Sequence, residues 1–245
     1  MLWAGFLLCG GLLIVFRNWW VTLAALLGEY LLSALLVSRF PFILADLSIG
    51  PLAVSQIVLV KVVAGLVVVG ILAITAASRQ RARPEVEHAL DEITAARLRW
   101  AARRVARRGR EQRLRLPAYL LPVSALIVLV LVTHALAILA PLARVPTLPE
   151  PVLWGFVDLA WYWLGLSGAV VVLFAQELQE FAVGLLLCMS SVDLLYTALS
   201  RSVGLVAIGL LSVVSILLAL ASAYLARVFY LRLQRWLLPS PEEWD

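Results

Sequence analysis

The sequence predicts an all-α integral membrane protein of about seven transmembrane helices, and three observations carry that reading. Of its 245 residues, 63% are hydrophobic and only 14% charged, and the mean hydropathy of +0.99 lies beyond what a water-soluble domain carries. The apolar residues fall into seven runs divided by short polar segments. The arginines are so placed that alternation across seven spans puts sixteen of the nineteen on one side of the membrane, as the positive-inside rule requires. At about 20 residues per spanning helix, this length leaves no room for a separate soluble domain.

The spans are expected at 2–16, 19–38, 51–77, 118–142, 152–174, 181–199 and 203–226. The first resembles a signal peptide in length, but no Lys or Arg precedes it, no small-x-small cleavage site follows, and Leu8 before Cys9 argues against lipoprotein processing. It therefore counts as a helix of the mature protein. Only Arg17 and Asn18 separate it from the second run, so the two antiparallel helices need a tight polar turn there.

Between the third and fourth spans, residues 79–115 hold twelve of the nineteen arginines, which places this segment in the cytoplasm. The N-terminus then falls outside and the C-terminus inside, in a multi-pass protein of the cytoplasmic membrane. Within the segment, Pro84, Val86, Leu90, Ile93, Trp100 and Val105 follow helical spacing, with Gly109 as a stop signal. An amphipathic surface helix is expected, on which Arg103, Arg104, Arg107 and Arg108 hold anionic lipid headgroups, at about 1 kcal/mol each, or dock a partner subunit. The net charge of +5 is thereby a topology signal. Nucleic-acid binding is not expected, since Trp100 is the segment's one stacking group.

The organisation follows from these elements. A first three-helix unit spans 1–78, the Arg-rich cytoplasmic linker 79–116, a fourth helix 117–143, a second three-helix unit 144–230 and a cytoplasmic tail 231–245. The units align locally: Glu29-Tyr-Leu-Leu-Ser-Ala-Leu35 on Asp193-Leu-Leu-Tyr-Thr-Ala-Leu199, with acid on acid and Ser33 on Thr197. Each motif closes on Ser-Arg, at Arg39 and Arg201, allowing a two-residue gap. Two parallel three-helix repeats are therefore expected, joined by the linker and one extra span.

The residues in the wrong solvent are Glu29, Lys61, His134, Asp193 and Asp158. Glu29 stands at the middle of its run, Lys61, His134 and Asp193 a few residues from the middle of theirs, and Asp158 nearer the outer surface. A charge at the centre of a membrane helix costs roughly 2.5–3.5 kcal/mol, so three unpaired charges would cost about 8–10 kcal/mol. They are expected to face the bundle interior and to pair, to neutralise, or to meet charges on a partner. A Glu29–Lys61 pair on adjacent helices is the economical expectation. Two roles fit: polar glue between helices, or a lateral proton relay, since carboxylate, amine and imidazole each exist charged or neutral.

Other chemistries find no support. Cys9 and Cys188 lie in separate apolar runs without a CxxC, so neither a metal site nor a disulfide is expected. One membrane histidine, with His88 in the linker, is insufficient for bis-histidine haem. There is no phosphate-cradling glycine loop, no HExxH and no Ser/His/Asp set. No cofactor is expected, and no catalysis by this chain alone.

The segment Phe16-Arg-Asn-Trp-Trp-Val-Thr-Leu-Ala-Ala-Leu-Leu-Gly-Glu29 resembles the K subunit of complex I and its antiporter and hydrogenase relatives. In that family a short first helix ends in Arg-Asn and the second carries a Gly followed by a buried Glu. The second unit, from Gln176-Glu-Leu-Gln-Glu180 through Gly184 and Cys188-Met-Ser-Ser191 to Asp193, is similar to the C-terminal half of hydrogenase-4 component E. The resemblance implies a non-catalytic membrane subunit of a proton- or cation-translocating assembly, beside antiporter-like subunits, with Glu29 as the mid-membrane glutamate. Lys61 stands on the third helix, where the family often has another glutamate, and the Asn-to-Glu spacing is about two residues longer. Two alternatives stay open: a structural or assembly protein with paired buried charges, and a stand-alone secondary transporter.

Overall fold

The computed structural model describes residues 2–16, 18–39, 46–49, 52–89, 117–141, 151–175, 177–200 and 205–237. Among them are seven helices: α1 (Leu2–Val15), α2 (Trp19–Val37), α3 (Gln56–Ala89), α4 (Pro117–Leu139), α5 (Pro151–Phe174), α6 (Leu178–Leu199) and α7 (Leu205–Leu237). Six are long and apolar enough to cross a membrane, and α1 is a shorter apolar helix of 14 residues. The chain thus has the composition and helix lengths of a multi-pass membrane protein.

The tight turn between α1 and α2 is built by a cap. Asn18 adopts extended backbone geometry and its Oδ1 accepts the Trp20 amide at 3.1 Å, satisfying one of the donors that a helix start leaves open. Helix α7 continues to Leu237, past the expected end at 226, and the third span differs from expectation in two ways. The third run begins with strand rather than helix: strands β1 (Asp46–Ile49) and β2 (Leu52–Ser55) pair antiparallel, Asp46 opposite Ser55 and Ile49 opposite Leu52. Gly50-Pro51 between two short apolar stretches is turn chemistry that a hydropathy run absorbs. Helix α3 then starts at Gln56 and continues without a break through Pro84 to Ala89, so the expected surface helix does not start afresh at Pro84; its remainder, from 90 on, lies outside the described residues. The flanking Arg, Ala, Gln and Glu residues are good helix formers and carry α3 past the apolar stretch.

The helices pack in two rows of three. Within the first row α2 lies between α1 and α3, within the second α6 lies between α5 and α7, and between rows α1 meets α5, α2 meets α6 and α3 meets α7. Helix α4 lies against α1 and α5. Antiparallel runs are visible where residues meet: Gly5 packs on Leu32 and Gly28 on Cys9, while Trp3 meets the His134 ring and Gly11 packs on Leu126. Helices α1 and α4 therefore run oppositely, as alternation across seven spans requires.

The core lies between the rows, around Phe6, Leu26, Trp163, Leu164, Leu186 and Leu194. Leu131, Ile138 and Leu139 of α4 and Val206, Leu210 and Leu217 of α7 are exposed instead, the pattern of helices with apolar faces turned to lipid or to another membrane subunit. The closest pairing is α5 with α6. A Cβ placed on Gly168 would stand 2.7 Å from the Gly184 carbonyl, and one on Gly184 would stand 2.8 Å from the Gly168 carbonyl. Small residues let the two backbones touch, which is how helices associate when lipid is as apolar as leucine.

Candidate functional site

Glu29 stands at the middle of α2 on the face turned toward α1 and α5, and 1% of it is exposed. Glycines make that approach possible. A Cβ on Gly28 would come within 2.7 Å of the Cys9 sulfur, and one on Gly10 within 2.5 Å of the Trp163 indole nitrogen. Two donors flank the carboxyl, the Trp163 indole and the Gly10 amide. The indole, however, donates to the Phe6 carbonyl at 2.9 Å, the same oxygen toward which the Gly10 amide points along the helix. Neither Glu29 carboxylate oxygen has a hydrogen bond of acceptable geometry among the described residues.

Lys61 does not pair with Glu29. Its Nζ lies 2.6 Å from Asp193 Oδ2, so the expected Glu29–Lys61 pair is replaced by a Lys61–Asp193 pair between α3 and α6. The reason is rotational. Gly65 packs on Tyr30, so α3 lies against the side of α2 that presents Tyr30, and neighbouring helical positions differ by about 100° in direction. Glu29 therefore faces away from α3. The Lys61 side chain is 4% exposed and that of Asp193 20%.

A polar cluster surrounds this ion pair. Tyr30 reaches from α2 to the hydroxyls of Ser190 on α6 and Ser215 on α7, within electrostatic range of Asp193. Among the described residues the Tyr30 hydroxyl makes no well-formed hydrogen bond and Asp193 Oδ1 has no partner. Ser215 donates to the Leu211 carbonyl at 3.1 Å, and Thr197 to the carbonyl of Asp193 at 2.7 Å.

The remaining candidates lie elsewhere. His134 is on α4, with Nδ1 3.0 Å from the Val130 carbonyl and its ring edge-on to Trp3 at 5.5 Å; neither contact joins it to Lys61 or Asp193. Asp158 is buried and accepts the Trp161 indole hydrogen at 3.0 Å. Arg103, Arg104, Arg107 and Arg108 lie outside the described residues. Cys9 and Cys188 are free thiols, half-buried. Among the described residues no group of His, Cys, Asp and Glu could hold a metal ion.

The structure thus divides the expected row of charges into a buried carboxyl flanked by an indole and an amide, an ion pair with hydroxyl neighbours, and two residues with local partners. Sequence reasoning missed Trp163, Tyr30, Ser190 and Ser215. Each is an ordinary residue for a membrane helix, and no spacing within one helix marks it, because the cluster draws on four helices. Gly28 beside Glu29 and Gly10 facing Trp163 are the one signal that could have been read: small residues next to a buried acid mark close approach. Comparison with protein-family models, with curated proteins and with solved structures finds no match.

Proposed function

We propose that this chain is a non-catalytic membrane subunit of a complex I-like or hydrogenase-like assembly that moves protons or another cation, and that Glu29 is its mid-membrane proton carrier. The observation that carries this reading is the Glu29 carboxyl: 1% exposed, central in a spanning helix, with no well-formed hydrogen bond to either oxygen among the described residues. A carboxyl serving as polar glue would be expected to find a donor, because an unmet buried polar group costs about 1–3 kcal/mol. A group that must take up and release a proton is not locked by such a bond, and the Trp163 indole and Gly10 amide that flank Glu29 form none of good geometry with it. The pairwise meeting of α1 with α5, α2 with α6 and α3 with α7 supports the two three-helix repeats expected from the Glu29 and Asp193 motifs. In the same reading the N-terminus is outside, the C-terminus is cytoplasmic, and the arginines of the linker engage anionic lipid or a neighbouring subunit.

The Lys61–Asp193 pair favours a second, structural reading for those two residues, since an ammonium and a carboxylate in contact offset each other's burial. The proton path of this proposal accordingly rests on Glu29, not on a continuous row through Lys61 and His134. The test is Glu29→Gln, which keeps the side chain's size and removes its titration. In native-membrane vesicles containing the assembled complex, the variant is expected to retain assembly and lose most ion translocation. Undiminished translocation at normal assembly would sink the proposal.

A further inference from the structure

The polar atoms around the Lys61–Asp193 pair do not balance. Lys61 has three N–H donors, and its one hydrogen bond among the described residues goes to Asp193 Oδ2. Among the described residues Asp193 Oδ1 is a buried acceptor without a donor, and the buried Tyr30 hydroxyl, beside those of Ser190 and Ser215, makes no well-formed hydrogen bond. Ser215 spends its hydrogen on Leu211 and keeps lone pairs toward Tyr30. Tyr30 is 7% exposed and Lys61 4%, so bulk solvent does not satisfy them. Unmet donors and acceptors therefore converge from α2, α3, α6 and α7 on one place. Leaving several buried polar groups unpaired is costly, and a bound water with two to four polar partners removes that cost.

We infer that Tyr30, Lys61, Ser190, Asp193 and Ser215 enclose a bound-water site inside the membrane domain. Water suits this set better than a metal ion, because the Lys61 ammonium already supplies the positive charge that the Asp193 carboxylate calls for. Lys61 is five residues into α3 and Asp193 six from the end of α6, which puts the site roughly 8–9 Å along each helix from its end. Tyr30 follows Glu29 in α2, so the water lies on the neighbouring face of the same helix turn. The inference uses no property of Glu29 and stands or falls apart from the carrier proposed above.

Synchrotron hydroxyl-radical labelling of the full chain in lipid nanodiscs tests it, because radicals formed from a bound water mark the side chains beside it. After correction for intrinsic reactivity, Tyr30 is expected to be labelled several-fold faster than the comparably buried Leu13 and Leu129. Ser215→Val, which fills the site and removes a partner, is expected to bring Tyr30 down to the leucine level. Ser190→Val does the same from α6 should the first variant fail to fold. Labelling of wild-type Tyr30 no faster than the leucines would overturn the site. So would labelling that collapses when choline is replaced by sodium, which would identify a cation as the ligand.

Discussion

Lys61 and Asp193 illustrate how a membrane interior settles accounts between single residues. Each alone would bring a charge into surroundings where it costs roughly 2.5–3.5 kcal/mol, and their contact at 2.6 Å lets one charge serve as the other's solvation. Removing a single partner leaves the other stranded. Lys61→Met or Asp193→Leu is therefore expected to lower stability by about 3–5 kcal/mol, measured by unfolding in mixed micelles. The double variant is expected to cost less than the sum, with an interaction energy of at least about 1 kcal/mol. Strict additivity would mean that the pair contributes nothing to the fold. That Lys61 and Asp193 must find partners was legible in the sequence from charge and position alone. That they find each other was not, because the choice turns on the direction of Glu29 and Tyr30 around α2.

At the scale of elements, tight packing and weak hydropathy signals decide different things. Helices α5 and α6 approach until Gly168 and Gly184 nearly touch through their carbonyls, so an added methyl meets backbone that cannot swing aside. Gly168→Ala or Gly184→Ala is expected to destabilise the domain by about 1–3 kcal/mol, while Gly209→Ala, where an added Cβ meets nothing within 4 Å, is expected to be neutral or slightly stabilising. Equal melting temperatures for the three variants would contradict the close contact. The seven helices were legible as apolar runs because burying a helix in lipid demands nothing beyond length and apolarity. The strand pair at Asp46–Ile49 and Leu52–Ser55 was not, since four-residue strands beside a long hydrophobic run leave hydropathy unchanged. The extension of α3 to Ala89 was hidden for the opposite reason: its last turns are polar, and hydropathy ends where helix propensity continues.

For the whole molecule, two rows of three helices leave broad apolar faces on α4 and α7. Lipid covers such faces as readily as a partner subunit does, so the assembly must be sought directly. Purification of the tagged chain from its native membrane in mild detergent, followed by mass spectrometry, is expected to bring down antiporter-like membrane subunits with an electron-transfer or hydrogenase-like module. Recovery of the chain alone, or as a homo-oligomer, would refute the subunit reading and favour a stand-alone transporter.

The sequence by itself determined that this chain is a membrane protein, roughly where its helices run, and which residues are costly in lipid. These are sums over local composition, and a bilayer reads composition directly. Only the tertiary structure decided that Glu29 is buried against α1 and α5 beside the Trp163 indole and Gly10 amide, that Lys61 belongs to Asp193, and that Tyr30, Ser190 and Ser215 gather beside that pair. Such pairings depend on helix rotation and on how closely glycines let helices approach, and those quantities exist only once the helices have packed.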